Sequence, residues 1–202
     1  MQEFLTQATW THPPVKSGLD GTNLLVEAVR GSDYWQKTHY GFQRDSGHAL
    51  LVPVTGDGAL EVTFTASYNR LYDQAGLLIR TDESHWLKAG VEITDDEPHV
   101  GAVVTREYSD WSQSPVPEWA GTDVTIRASW TGSSVILRAR SDKAPWRTIR
   151  VAHLDITGST RAGLYVASPE REGLTVSFSR VSFGPVDNDL HTQPPAATGP
   201  TP

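Results

Sequence analysis

Residues 72–93 read YDQAGLLIRTDESHWLKAGVEI, and the parity of this stretch decides the fold. Side chains alternate across a β-strand, so residues two apart share a face. In the first half, Leu77 and Ile79 share one face and Gln74, Gly76, Leu78 and Arg80 the other. In the second half, Leu87, Ala89, Val91 and Ile93 form an apolar face, opposite Trp86, Lys88, Gly90 and Glu92. The intervening TDES (81–84) carries turn residues. The stretch therefore predicts a hairpin whose apolar sets join in a core. Its second face gathers Gln74, Arg80, Trp86, Lys88 and Glu92. That face is either solvated surface with cross-strand charge pairs or the lining of a groove. In the groove reading, Gly90 leaves room for a ligand and Trp86 offers a stacking plane.

The same alternation recurs along the chain. Leu60, Val62 and Phe64 oppose Glu61, Thr63 and Thr65; Val124, Ile126 and Ala128 share a face; Val135, Leu137 and Ala139 oppose Arg138 and Arg140. Val176 and Phe178 alternate with Ser177 and Ser179, and Leu164 pairs with Val166. Turn chemistry separates these runs at TGDG (55–58), TDDEP (94–98), TGSS (131–134) and SDKAP (141–145). No segment carries a long helical period. Many short strands at hairpin spacing predict two packed antiparallel sheets, an all-β sandwich. The sandwich domain is expected over residues 1–186. The Pro-rich end, 187–202, has too few apolar residues to offset its ordering entropy and is expected to be disordered.

Composition narrows the function. Lys plus Arg total 17 and Asp plus Glu 24 in 202 residues, a formal net charge of −7. An acidic balance disfavours nucleic acid and anionic membrane surfaces as partners. The absence of cysteine excludes disulfides and thiolate chemistry, and no run approaches the about 20 apolar residues that span a bilayer. A cytoplasmic location is the expectation. The sequence has no dinucleotide fingerprint, metalloprotease helix, EF-hand or serine elbow, so no cofactor or metal is called for.

Two further clusters carry candidate ligand contacts. SDYWQKTHYGFQRDSGHAL (32–50) holds Tyr34, Trp35, Tyr40, Phe42, Asp45 and His48, with His39 and His48 as acid–base candidates or as surface or hydrogen-bonded histidines. VVTREYSDWSQSPVPEW (103–119) places Asp110, Trp111, Ser112 and Trp119 at one rim, where a loop tryptophan either folds down onto the sheet or meets a ligand.

SDYWQKTHYGF, YDQAGLLIR, WLKAGVEI, VVTREYSDWS, the Ser141–Asp142 turn with Trp146 and Arg150, and GLYVASPEREGLTVSF occur in one order. Over about residues 5–184 these blocks resemble a domain family of unknown function related to the yeast regulation-of-enolase protein. The resemblance implies a concanavalin A-like jelly roll with one concave sheet. It maps recurrent polar positions onto Trp35, Asp73, Gln74, Arg80, Lys88, Glu92, Thr105, Asp110, Trp111 and Ser112. Lys143 departs from the family's usual glycine after Ser–Asp.

Retaining glucanases of this fold class use Glu-x-Asp-x-x-Glu; here EITDDE (92–97) has Thr94 in place of the central acid, and Asp95–Asp96 look like a turn. Three readings stay open. The first is a binding module for a carbohydrate-like or other polar small molecule. Trp86 or Trp111 would stack, Arg80, Lys88, Glu92 and Asp110 would hydrogen-bond, and Trp35, Tyr40, Gln74 and Thr105 would join the lining. The second is an enzyme with Glu92 or Asp110 as acid or base and Lys88 as electrostatic stabiliser. The third is a regulatory domain that docks another protein.

Overall fold

A computed structural model describes residues 1–199. One short helix, α1 (Gln2–Gln7), precedes β1 (Thr9–Trp10), β2 (Lys16–Asp20), β3 (Asn23–Glu27), β4 (Tyr34–Gln36), β5 (Gln43–Asp45), β6 (His48–Pro53) and β7 (Gly58–Ala66). Then come β8 (Gln74–Arg80), β9 (His85–Thr94), β10 (Glu97–Arg106), β11 (Tyr108–Pro115) and β12 (Val124–Thr131). The chain continues through β13 (Ser134–Ser141), β14 (Arg147–His153), β15 (Arg161–Ala167) and β16 (Thr175–Gly184). Among the described residues no helix is long and apolar enough to cross a membrane.

Two seven-stranded antiparallel sheets face each other, ordered β1-β6-β15-β8-β9-β10-β11 and β14-β13-β12-β7-β16-β3-β2. This is the two-sheet sandwich the alternation predicts and the jelly roll the resemblance implies. The apolar parity sets meet between the layers: Leu77, Ile79, Leu87, Ala89 and Val91 from the first sheet, Leu60, Val62, Phe64, Val124, Ile126, Ala128, Val135 and Leu137 from the second. Trp119 folds into this core rather than standing at a rim. On β16 a bulge between Phe178 and Arg180 resets the alternation, so Val181 and Phe183 also turn inward.

The opening hairpin forms as expected, with Gln74 opposite Glu92, Leu78 opposite Lys88 and Arg80 opposite Trp86. The β9–β10 turn uses Asp95 and Asp96 at φ of 54° and 62°. Positive φ at both central residues is the hairpin turn that matches strand twist. Gly90 is needed for a different reason from the one its position suggests: a Cβ there would lie 2.0 Å from the Ala75 carbonyl oxygen. The neighbouring strand, not a ligand, demands that glycine.

Beyond residue 186 the chain lies against the second sheet. Asp187 is buried and accepts hydrogen bonds from Arg127 Nε at 2.8 Å and Arg138 Nε at 2.7 Å. Arg127, fully buried on the outer face of the second sheet, also donates to Glu61 at 2.9 Å. Farther on, Ala197 is buried and the Gly199 amide donates to the Phe183 carbonyl at 2.9 Å. The segment carries charges and small residues that satisfy a polar sheet face, which composition alone does not reveal. Residues 200–202 of the expected tail lie outside the described residues.

Candidate functional site

The outward face of the first sheet, which carries the second parity set, is not open to solvent. A two-stranded ribbon, β4 paired with β5, lies over it. Tyr34 and Trp35 from the ribbon join Trp86, Leu78, Val103, Tyr165, Ala49 and Leu51 in a second, smaller apolar cluster. The Tyr34 and Trp86 ring centroids are 5.9 Å apart and tilted by 56°. This clamp determines what several candidate residues do.

Trp86 is 0% exposed, and its indole N–H donates to the Glu83 carbonyl at 3.2 Å, so it offers no stacking plane to a ligand. Arg80 forms a two-pronged ion pair with Asp45 of β5, one arm at 2.9 Å. Thr105 is buried and shares a 2.9 Å hydrogen bond with Ser109 Oγ, which in turn receives the Gln36 amide of the ribbon at 2.9 Å. All three, expected as ligand contacts, anchor the ribbon instead. Asp110 also leaves the site: its carboxylate is 70% exposed and pairs with Arg150 of β14 at 2.9 Å, while Ser112 Oγ accepts from Arg150 at 3.0 Å. Asp110 is not among the residues that line the cavity holding Glu92. Asp73 is buried under Arg171 Nε at 2.7 Å. His48 is a structural histidine. Its Nε2 accepts the Val29 amide at 3.0 Å, Nδ1 donates to the His12 carbonyl at 3.1 Å, and burial lowers its pKa.

Beyond the clamp, ribbon and sheet part to leave a cavity of about 290 Å³. It gathers Trp35, Tyr40, Gln74, Lys88, Glu92 and Trp111 from the expected set. It adds Asp33, Phe42, Arg44 and Tyr72, with Gly31, Pro169 and Glu170 at one wall. Of the added residues, Phe42 belongs to the aromatic cluster already named, and Asp33 and Tyr72 sit at the edges of the quoted blocks SDYW and YDQAGLLIR; Arg44 and Glu170 lie inside quoted stretches, but nothing in the sequence singles them out.

The floor is a closed polar circuit. Lys88, 4% exposed, donates to Gln74 Oε1 at 2.6 Å and lies 3.6 Å from Asp33 Oδ1. Gln74 Nε2 donates to Asp33 Oδ1 at 3.3 Å and to the Tyr72 carbonyl at 3.2 Å. Glu92 stands outside that circuit. Its one side-chain hydrogen bond among the described residues comes from Thr94 Oγ1 at 3.4 Å. Loss of hydration raises its pKa; Lys88 opposes the rise and Asp33 adds to it. The Tyr72 phenol, hydrogen-bonded to Tyr40 at 3.4 Å, is pushed up to about 12, chiefly by that bond.

The walls are aromatic. Trp35 and Trp111 meet at 87° with centroids 6.1 Å apart, and Trp35 and Tyr40 at 67° and 5.6 Å. The Trp35 N–H is spent on the Thr38 carbonyl at 2.9 Å, so this indole presents ring surface alone. Among the described residues no group of three or more acids and histidines is placed to hold a metal ion.

The family model described as a protein of unknown function, DUF1349, matches residues 10–186. The chain belongs to that family. A relative in Saccharomyces cerevisiae, named Regulation of enolase protein 1, is 36% identical over 188 residues, covering 93% of this chain and 94% of the yeast protein. The crystal structure of a functionally unknown protein from Saccharomyces cerevisiae superposes with a TM-score of 0.84 at 35% identity, covering 90% of this chain and 97% of that one. The carbohydrate binding module CBM66 from Bacillus subtilis superposes at 0.56 with 15% identity, covering 88% and 96%. At that identity it shares the DUF1349 jelly-roll fold and no more.

Proposed function

We propose that the chain binds a carbohydrate-like or other polar small molecule in the cavity under the β4–β5 ribbon. The observation that carries this reading is Glu92: a half-buried carboxylate that has no ion-pair partner among the described residues and stands among three aromatic walls. A desolvated acceptor costs free energy unless something completes its hydrogen bonding, and a ligand does so. Support also comes from the fold, which this chain has in common with a protein named as a carbohydrate binding module. Trp35, Tyr40 and Trp111 would supply stacking area, Glu92 an acceptor, and Gln74 and Lys88 a rigid floor. In this reading the cysteine-free chain works in the cytoplasm.

Calorimetric titration of a monosaccharide and oligosaccharide panel tests the proposal. At least one compound should bind, and Trp111→Ala should weaken it about tenfold or more, the magnitude of a lost stacking contact. Binding that survives Trp111→Ala and Glu92→Gln undiminished would place the ligand elsewhere.

A further inference from the structure

The polar atoms of the cavity are unequally available. Lys88, Gln74 and Asp33 are committed to one another. Arg44 lies over the Phe42 ring, 4.8 Å from its centroid. What the cavity leaves for a guest includes an acceptor outside the circuit, the Glu92 carboxylate, and ring surface from Trp35, Tyr40 and Trp111. Of the polar groups in the lining, the indole N–H of Trp35 and both ends of the Gln74 amide are already used. Rings meeting at 87° and 67° form a corner rather than a flat platform. A pyranose stacks on one flat ring; a corner of ring faces suits a compact cation, which is drawn to the negative face of each ring at once. The charges that line the cavity add up the same way, with Asp33, Glu92 and Glu170 against Lys88 and Arg44.

We propose that the ligand carries a protonated or quaternary ammonium group, seated against the rings of Trp35, Tyr40 and Trp111 with Glu92 as its counter-charge. The proposal rests on the ligand-site reading above and narrows it to amine-bearing molecules, amino sugars and choline-like compounds among them. The cavity, about 290 Å³, admits a group of that size together with part of the molecule that bears it.

The test titrates choline, and the uncharged dimethylbutanol in which carbon replaces its nitrogen, into the full chain at neutral pH, with glucose and cellobiose as neutral saccharides. Choline should bind about tenfold or more tightly than the carbon isostere. Glu92→Gln should weaken choline about tenfold and leave the isostere unchanged, and Trp111→Phe should keep part of the affinity that Trp111→Ala loses. Far-ultraviolet circular dichroism identifies any variant that fails to fold, and the choline–isostere comparison on the unaltered protein stands without them. Equal affinity for choline and its isostere would overturn the inference. So would saccharide binding without choline binding, which would leave the ligand site standing. No binding by any of these compounds would remove both.

Discussion

Glu92 and Trp86 stand six residues apart on one strand face, and burial acts on them in opposite ways. Glu92 is an acid whose folded-state pKa is raised by lost hydration. Its protonated form suits the fold, so the folded protein is favoured below the ordinary carboxylate range and loses that advantage as pH rises through the folded pKa. Glu92→Gln should therefore stabilise the ligand-free protein at neutral pH, and the gain should vanish as pH falls below the ordinary carboxylate range. Denaturant titrations at several pH values measure it. Trp86 is the largest fully buried side chain. Trp86→Ala should cost about 3–5 kcal/mol, the range for removing a large buried ring, read from the same titrations. Trp111, at the cavity wall and only partly buried, should cost less on truncation.

At the scale of elements, the hairpin was legible and its cover was not. Parity assigns Leu77, Leu87 and Val91 to the core and Trp86, Lys88 and Glu92 to the other face, because two-residue alternation is a local property of a strand. Nothing local says what lies over that second face. The ribbon that covers it is about forty residues upstream of Trp86 and too short to alternate visibly, at three residues per strand. Hence Arg80, Trp86 and Thr105 read as ligand contacts and turn out to hold the ribbon. The Arg80–Asp45 pair, with side chains 14% and 24% exposed, is the polar end of that attachment. Asp45→Ala should destabilise by about 1–2 kcal/mol, between an exposed pair and a buried charged hydrogen bond. Amide hydrogen exchange should quicken most over residues 34–45, with strands of the inter-sheet core keeping their protection.

For the whole molecule, the two-sheet architecture was readable because at least five separate runs alternate with the same period and all of them bury the expected side. The contacts of the C-terminal segment were not legible, because Asp187 meets the sheet through ion pairs rather than apolar burial. Asp187 neutralises Arg127 and Arg138 on a sheet face where neither reaches water, and breaking a buried pair of this kind costs about 3 kcal/mol or more. Asp187→Ala should lower the unfolding free energy by about that amount while leaving the cavity, on the other sheet, able to bind whatever the unaltered protein binds.

The claim on which the functional account depends is that the hollow between the ribbon and the first sheet holds the ligand. Indole-labelled nuclear magnetic resonance tests it most directly, because the chain has seven tryptophans and only Trp35 and Trp111 line that hollow. During titration with the tightest binder from the saccharide and ammonium panels, the Trp35 and Trp111 resonances should move. Those of Trp10, Trp119, Trp130 and Trp146 should stay in place. Shifts confined to that second group, or no shift at any indole, would contradict the account.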